Sequence, residues 1–281
     1  MNHNTAYYKK RLKKLPKYIL VILLCFIFLS PFLIMVTTAL KTNADAFELP
    51  VKLFPRKLIW SNFSEAMEKI PFTRYMANTI FITLLSVMGQ LISTPLVAYS
   101  LARIKWRGSA VISSLIMGTM MIPYTVTMIP IYKIWSSLGM TNTYVPLIIP
   151  AFFGSRFYII VMRQFFGGLP NSLMEAAKID GAGEFKRFTA IALPLSKPAL
   201  TTVGIYAFIN AWSDYLAPLI YINKTEKLTL SLGLQGFLNQ YSVDWTHLMA
   251  AATIFVIPVV IFFLFFQRNF VEGIATSGIK G

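Results

Sequence analysis

The sequence contains few of the residues that carry most enzyme chemistry. It has one cysteine, Cys25, and two histidines, His3 and His247, among 281 residues. A single cysteine excludes an intrachain disulfide, and neither histidine has a His, Cys or carboxylate partner at the spacing expected of a metal site. A phosphate-binding Gly-x-x-x-x-Gly-Lys-Ser/Thr loop and a Ser-centred nucleophile elbow are also missing from the sequence. These absences predict that the chain is not an enzyme and holds no metal or cofactor, so that any ATP-driven work uses a site on another chain.

Charged residues are scarce as well, at 13% of the chain, whereas hydrophobic residues make up 56% and aromatic residues 15%. This apolar content exceeds what the core of a water-soluble domain requires. The charge-free run Tyr18–Leu40 is long enough to cross a hydrocarbon layer of about 30 Å at 1.5 Å per residue. It is also longer than the apolar region of a signal peptide, about 7–15 residues, and no small-residue cleavage site follows it. The sequence therefore predicts an all-α, polytopic membrane protein.

Five further apolar segments bring the predicted number of transmembrane helices to six. They are approximately Tyr75–Ala102, Ser109–Tyr132, Tyr144–Gly167, Ala199–Ile222 and His247–Gln267. The predicted organisation is a basic N-terminus (1–17), a first helix (18–40), an external loop (41–73), a core with five helices (74–267) and a C-terminal tail (268–281). Prolines near membrane depth predict kinked helices around a route, because a freed carbonyl in lipid needs another partner. These prolines are Pro95, Pro123, Pro130, Pro146, Pro150, Pro218 and Pro258.

The distribution of lysine and arginine predicts the orientation in the membrane. The side that holds both termini carries 16 of these residues and the opposite side nine, and positive residues concentrate in cytoplasmic loops. Both termini and the polar stretch 171–198 are therefore predicted to face the cytoplasm. The net charge of +15 is spread among these loops, where anionic lipid explains it more simply than nucleic acid does.

The polar stretch 171–198 predicts a helix, a turn and a second helix. Ser172 and Glu175 have the spacing of a capping box at a helix start. The dipeptide Asp180-Gly181 supplies turn chemistry, with a positive φ expected at the glycine. The segment Glu184–Ile191 is again helical in pattern. Such a loop either lies on lipid or docks on a protein, and its Ala-rich first turn favours docking because alanine is a weak lipid anchor.

The same stretch resembles the EAA loop of permease subunits in binding-protein-dependent ABC importers. The positions that carry the resemblance are Glu175, Ala176, Ala177, Gly181, Ile191, Leu193 and Pro194, with Asp180 beside the glycine. Four other stretches are most similar to the carbohydrate branch of this family, the maltose-transporter type of inner subunit. They are Val97–Gly108, Met121–Tyr144, Val161–Pro170 and Phe270–Gly281, and the resemblance extends from about Arg74 to the end.

The resemblance implies a pore subunit of an ATP-driven importer in the plasma membrane of a bacterium or archaeon, surrounded by membrane lipid. Its implied partners are a second related permease, two ATPase subunits that hold ATP and Mg²⁺, and an extracellular or periplasmic solute-binding protein, with no role for nucleic acid. The EAA loop would dock on the ATPase and couple its closure to translocation. Lys280 and Gly281 would form a second contact with the ATPase.

Several residues are candidates for the solute path. Trp212 and Tyr215 suit stacking on sugar faces, and Asn210 lies on the same predicted helix. Arg156 and Asp214 are formal charges inside the fourth and fifth segments. Because a lone charge near mid-membrane costs about 2.5–3.5 kcal/mol, the two are expected to pair or to share a polar cavity.

An alternative function is an ion-coupled secondary transporter in which Arg156 and Asp214 form the ion site. Such a carrier often has repeated halves, and no convincing repeat relates the first and last three segments. It would also leave the polar loop unexplained. A membrane scaffold, a third interpretation, would not need proline-rich spans. The sequence leaves the solute open among mono-, di- and oligosaccharides and glycerophosphate-like compounds.

Overall fold

The structure, a computed structural model, describes residues 14–48, 50, 52–238 and 243–278. These residues form helices, and apart from one isolated bridge between Leu238 and Val243 the described part contains no extended pairing. The all-α prediction is therefore confirmed. The α-helices are α1 Leu15–Ala39, α2 Asn43–Ala46, α3 Ser61–Lys69, α4 Phe72–Arg103, α5 Ser109–Met120, α6 Tyr124–Ser137, α7 Val145–Ile148, α8 Arg156–Gly168, α9 Asn171–Ile179, α10 Glu184–Arg187, α11 Leu193–Leu195, α12 Lys197–Trp212, α13 Leu216–Tyr221, α14 Leu230–Gly233 and α15 Trp245–Gly278. Short 3₁₀ helices occupy Ile149–Phe153, Thr225–Lys227 and Leu234–Phe237, and a π-helix occupies Phe188–Ala192.

Several of these helices have the length and composition of membrane spans. Within the described residues, four segments qualify: Pro16–Ala39, Phe72–Arg103, Val145–Gly168 and Trp245–Gln267. The number rises to six if each of two sharply bent helix pairs is counted as one span. The protein is therefore a multi-pass membrane protein, as its composition predicts.

The predicted third span is sharply bent in the structure. It consists of α5 and α6, which meet at an angle of 106°. Pro123 lies at the break with φ −60° and ψ 142°, an extended conformation that ends the helical path. Proline has no N–H to continue the helical ladder, which is why the apolar run Ser109–Tyr132 does not form one straight helix.

The predicted fourth and fifth spans are interrupted. The fourth consists of α7, a 3₁₀ turn and α8, with a break at Gly154, whose φ is +80°. The predicted fifth span, Ala199–Ile222, contains α12 and α13, which are separated by residues 213–215. A further bend of 77° lies before α12, at the end of the segment Glu184–Leu195. Non-helical backbone at membrane depth is tolerated where protein or a water-filled cavity satisfies its polar groups.

The chain divides into two compact units. The larger comprises Pro71–Gln235 and Phe255–Gly281, and in it α4 packs chiefly against α8 and α12. Close helix packing is visible at Gly89 of α4, where an added Cβ would lie 2.8 Å from the ring of Phe152. Small residues allow helix backbones to approach closely in this way. The buried core includes Ala98, Tyr99, Tyr158, Met162, Phe166, Met174, Phe188, Ala192 and Val203.

The smaller unit comprises Met1–Ile70 and Gly236–Ile254. In it the Asn62 side chain of α3 donates to the carbonyls of Ala39 and Lys41, both at 2.8 Å. His247 lies 2.7 Å from Asp244 and 3.0 Å from Glu65. Asp244, which directly precedes α15, and Glu65 are thus hydrogen-bond partners of His247, and no group of three or more His, Cys, Asp or Glu residues in the described part of the chain could hold a metal ion. Lys69 also binds Asp244, which makes this group an ion-pair cluster.

Candidate functional site

The polar stretch 171–198 begins with α9, whose start differs from the predicted capping box. The residue that precedes the helix is Pro170, and no side chain caps the first turn. Ser172 is already the second residue of the helix. A capping box requires the hydroxyl one position before the helix, so the prediction for Ser172 and Glu175 is wrong. Proline, with φ −59° here, sets the backbone for the helix start without a capping side chain.

The turn after α9 follows the prediction closely. The amide of Gly181 donates to the Lys178 carbonyl at 3.1 Å, and the amide of Ala182 donates to the Ala177 carbonyl at 2.9 Å. These two bonds form a Schellman motif, which requires a left-handed residue just past the helix end. Gly181 supplies it with φ +78°, and an added Cβ there would meet no atom within 4 Å. Within the described chain, the requirement for glycine at this position is therefore one of backbone conformation.

The second arm of the stretch is helical from Glu184 to Leu195, which confirms the predicted helix and extends it. It includes the π-helix Phe188–Ala192. Phe188 and Ala192 are buried in the core, and Ile191 and Leu193 pack against it half-buried. This arm therefore fastens the stretch to the helix bundle.

The predicted coupling residues separate into an exposed group and an anchored group. Exposed residues of α9 and its turn include Glu175, Ala176, Asp180 and Gly181, with Ala177 half-buried, and Pro194 is exposed on the second arm. Two large apolar side chains beside them face outward, since Ile179 is 86% and Phe185 74% exposed. Met174 is the one residue of α9 that is buried. The helix thus presents most of its surface away from the bundle.

A cavity of about 480 Å³ lies elsewhere in the larger unit. Three of the predicted solute-path residues line it: Arg156, Asn210 and Asp214. Arg156 is the first residue of α8, directly after the break at Gly154, and Asp214 lies in the gap between α12 and α13. Interrupted helices thus carry both charges to the cavity wall. Its other polar lining residues are Ser86, Gln90, Tyr124, Ser155 and Tyr158.

The predicted pairing of Arg156 with Asp214 is not formed. Arg156 donates to the carbonyl of Thr119 at 2.6 Å, and Asp214 accepts from the amide of Ala217 at 3.2 Å. The two side chains do not make an ion pair in the described structure. Each charged side chain instead binds a backbone group next to a helix break, the Thr119 carbonyl for Arg156 and the Ala217 amide for Asp214. The alternative expectation, that they share a polar cavity, is confirmed.

Trp212 and Tyr215 do not line this cavity. Trp212 is only 2% exposed, its ring stacks on Phe208 and Phe255, and its Nε1 donates to the Phe255 carbonyl at 3.1 Å. The Tyr215 hydroxyl accepts a hydrogen bond from the Gln235 side-chain amide. The structure thus places Trp212 in the packing of α12 against α15, and its proposed contact with solute stays a prediction. Lys280 and Gly281, the predicted C-terminal contact, lie outside the described residues.

Sequence reasoning missed two polar residues of the site on α4. Gln90 lines the cavity, and its Oε1 accepts from the Ser155 amide at 2.8 Å, at the break before α8. Arg103 ends the same helix and binds the start of the polar stretch. A glutamine within an apolar run was a usable signal, since polar groups inside a membrane are costly and seek partners. Arg103 gave no such signal, because a basic residue at a span end is expected from orientation alone.

Comparison with known proteins identifies close similarity along nearly the whole chain. Residues 94–276 match the family described as binding-protein-dependent transport system inner membrane component. The arabinooligosaccharides transport system permease protein AraQ of Halalkalibacterium halodurans is 30% identical over 261 residues, covering 92% of this chain and 93% of the relative. The melibiose/raffinose/stachyose import permease protein MelC of Bacillus subtilis is 32% identical over 257 residues, covering 89% and 91%. A chain in the crystal structure of a bacterial ABC transporter involved in the import of the acidic polysaccharide alginate matches with a TM-score of 0.79 and 26% identity, covering 93% of this chain and 98% of that one.

Proposed function

Because the chain belongs to the family of binding-protein-dependent transport system inner membrane components, we propose that it is a pore-forming permease subunit of an ATP-driven importer for a carbohydrate. The observation that carries the proposal is the stretch 171–198, where a short helix with a Schellman end buries one residue, Met174, and exposes most of the others. An exposed, rigidly terminated helix outside the membrane spans is suited to transmit force from a partner.

The proposed role of this stretch, which we call the coupling loop, is to dock on an ATPase subunit that binds ATP and Mg²⁺. Glu175, Ala176, Ala177, Asp180 and Gly181 would form the docking side, together with the exposed side chains of Ile179 and Phe185. Ile191, Leu193 and Pro194 would hold the second arm to the bundle. Closure of the ATPase dimer would then move the loop as a rigid body.

The proposed solute path includes the cavity lined by Arg156, Asn210 and Asp214. Amide, guanidinium, carboxylate and hydroxyl groups on its wall suit a hydroxyl-rich solute, which both donates and accepts hydrogen bonds. The carbohydrate class is supported further by the named cargoes of AraQ and MelC, which are oligosaccharides. Tyr215 and Trp212 would join the path only after a rearrangement of their packing.

The proposed assembly contains a second related permease, two ATPase subunits and an external solute-binding protein in the plasma membrane of a bacterium or archaeon. Both termini and the coupling loop would face the cytoplasm, with the 41–73 loop outside. Residues 74–267 would form the permease core, and Lys280 and Gly281 a second ATPase contact. Nucleic acid and a resident cofactor have no part in the proposal.

Purification of the tagged chain from its native membrane tests this function against the ion-coupled carrier. We expect a second permease and an ATPase to co-purify in mild detergent, and vanadate-sensitive ATP hydrolysis to rise when the binding protein is added. A lone chain that accumulates sugar in response to an ion gradient, with no ATPase attached, would reject the proposal. The carrier is not favoured, because the matching family and relatives are permease components of binding-protein-dependent transport systems.

A further inference from the structure

The last turn of α4 contacts both arms of the coupling loop through two residues. Tyr99 and Arg103 are four positions apart, so their side chains lie on the same face of the helix. Arg103 contacts the chain just before and at the start of α9, and Tyr99 contacts the second arm. These contacts all lie within the larger unit.

Arg103 binds three acceptors with three different nitrogens. Its Nε donates to the carbonyl of Phe166 at 2.7 Å, and one terminal nitrogen donates to the Asn171 side chain at 2.6 Å. The other terminal nitrogen donates to the carbonyl of Leu169. The Phe166 carbonyl lies in the last turn of α8 and also accepts from the Leu169 amide, while Leu169 directly follows the helix. The guanidinium therefore joins the end of α8 to the first residue of α9. A lysine carries the same charge but not the planar fork that spans these acceptors.

Tyr99 binds the second arm by packing and by one hydrogen bond. It is 4% exposed, and its ring lies 5.1 Å from that of Phe188 and 5.6 Å from that of Phe166. Its hydroxyl donates to Glu184 at 3.2 Å, and the same carboxylate pairs with Arg187 one turn later. The hydroxyl therefore joins α4 to α10 directly.

The same helix also reaches the solute cavity. Gln90 on α4 lines the cavity and binds the Ser155 amide. Gln90 and Tyr99 are nine positions apart, about 14 Å along a helix that rises 1.5 Å per residue. If the coupling loop moves and carries the end of α4 with it, Gln90 in the cavity wall moves too, because both lie on one continuous helix.

On the premise of the proposed function, we propose that Tyr99 and Arg103 are positioning residues that make the coupling loop and α4 move as one body. They touch neither solute nor nucleotide. Their part is to clamp both arms of the loop to the helix that carries Gln90.

The first test measures the clamp directly, in the assembled complex reconstituted with Mg²⁺-ATP and vanadate. Spin labels are placed at Leu173→Cys on α9 and Leu96→Cys on α4, both exposed positions, after replacement of Cys25. We expect one narrow distance distribution that stays the same with and without trapped nucleotide. The variants Arg103→Lys, Arg103→Gln and Tyr99→Phe are expected to broaden it, with the smallest change for Tyr99→Phe because the ring packing is kept.

The second test asks whether the clamp matters for coupling, through the factor by which binding protein stimulates ATP hydrolysis per assembled complex. We expect the factor to fall about tenfold in Arg103→Gln and about threefold in Tyr99→Phe. Matched controls are Arg107→Gln and Tyr206→Phe, whose polar groups have no hydrogen-bond partner in the described part of the chain. The factor is expected to be unchanged in both controls.

The outcomes separate this inference from the proposed function. An unaltered distance distribution and stimulation factor in all three variants, with stimulation abolished by Gly181→Leu, would overturn the clamp and leave the coupling loop intact. Loss of assembly in every variant would also overturn it, since the residues would then be purely structural. Unchanged stimulation in Gly181→Leu as well would reject the coupling role itself, and the clamp with it.

Discussion

At the scale of single residues, local backbone signals were readable from the sequence and long-range contacts were not. The positive φ of Gly181 followed from the Asp-Gly dipeptide at a helix end and is observed at +78°. The capping box failed because Pro170, not Ser172, precedes α9. The pairing of Arg156 with Asp214 failed because freed backbone groups, such as the Thr119 carbonyl at 2.6 Å, lie closer. Those groups are available only because α5 has ended at Met120 and α13 begins at Leu216, and the positions of both ends were not predicted from the sequence.

Replacement of Gly181 by leucine should impair transport without removing the protein from the membrane. A side chain at positive φ costs about 1–2 kcal/mol, and there is no atom within 4 Å for an added Cβ to strike. The strain would loosen the Schellman turn and with it the orientation of α9. Uptake of sugar by cells that carry the variant is expected to fall at least fivefold at equal membrane content.

The control for this position is Gly181→Asn, because asparagine tolerates the left-handed region better than other residues with a side chain. We expect this variant to retain more than half of the uptake. Equal losses in the two variants would contradict a conformational role and would point to the glycine surface itself as the requirement.

At the scale of elements, apolar runs located the helices but not their interruptions. The predicted Tyr75–Ala102 lies inside α4, Phe72–Arg103. The breaks at Gly154 and at residues 213–215 were missed, although one signal was present. Asp214 precedes an apolar segment and accepts from the Ala217 amide, as an acidic residue at a helix start commonly does. The break at Gly154 depends on Gln90, 65 residues away in sequence, binding the Ser155 amide.

The ion pairs that join α3 to the start of α15 should stabilise the folded protein to a degree that depends on pH, through the charge of Asp244. Burial raises the pKa of this carboxyl, but hydrogen bonds from Lys69, His247 and Asn43 outweigh it and hold the pKa well below its usual range. A group with a lowered pKa stabilises the folded state above its unfolded pKa, about 3.9 for aspartate, and loses that effect as the pH falls further. Asp244→Asn is therefore expected to destabilise the protein at pH 7 by about 1–2 kcal/mol.

Thermal unfolding of the purified protein in detergent checks this expectation. The difference in thermal unfolding midpoint between wild type and Asp244→Asn should have its largest value at pH 6 to 7 and should become smaller as the pH falls below about 4. The matched control is Asp45→Asn, whose carboxylate has a single ion-pair contact among the described residues, at 4.0 Å from exposed Arg56. A difference that grows toward low pH would contradict the assigned sign.

At the scale of the whole molecule, amino-acid composition was the observation that best predicted a membrane protein. Helix α1 has a mean hydropathy of 3.1 over its most apolar window, and none of that window is buried by the other described residues. A helix that is apolar on all sides is found as a membrane span or in the core of a large protein. Composition does not fix how many spans the bent pairs form, since that depends on where each kink lies in the bilayer. Orientation rests on the distribution of basic residues alone.

Cysteine labelling in spheroplasts should show that the two ends of the larger unit lie on opposite sides of the membrane. Lys178 on α9 and Glu226 in the Thr225–Lys227 turn are both exposed, so each accepts a reagent without disturbing the core. The basic-residue count, 16 against nine, places position 178 inside and position 226 outside. With Cys25 replaced by alanine, a membrane-impermeant maleimide is expected to label Glu226→Cys at once and Lys178→Cys only after permeabilisation.

The two positions serve as controls for each other, because both lie on exposed polar segments and differ only in predicted side. Labelling of Lys178→Cys in sealed spheroplasts, with Glu226→Cys protected, would invert the orientation and remove the coupling loop from the side where ATP is available. Labelling of both in sealed spheroplasts would mean that the segments between α9 and the Thr225–Lys227 turn cross the membrane an even number of times or not at all. A single crossing by α12 and the broken segment after it requires the two positions to lie on opposite sides, because 16 helical residues at 1.5 Å each give 24 Å and α13 supplies the remainder of a span.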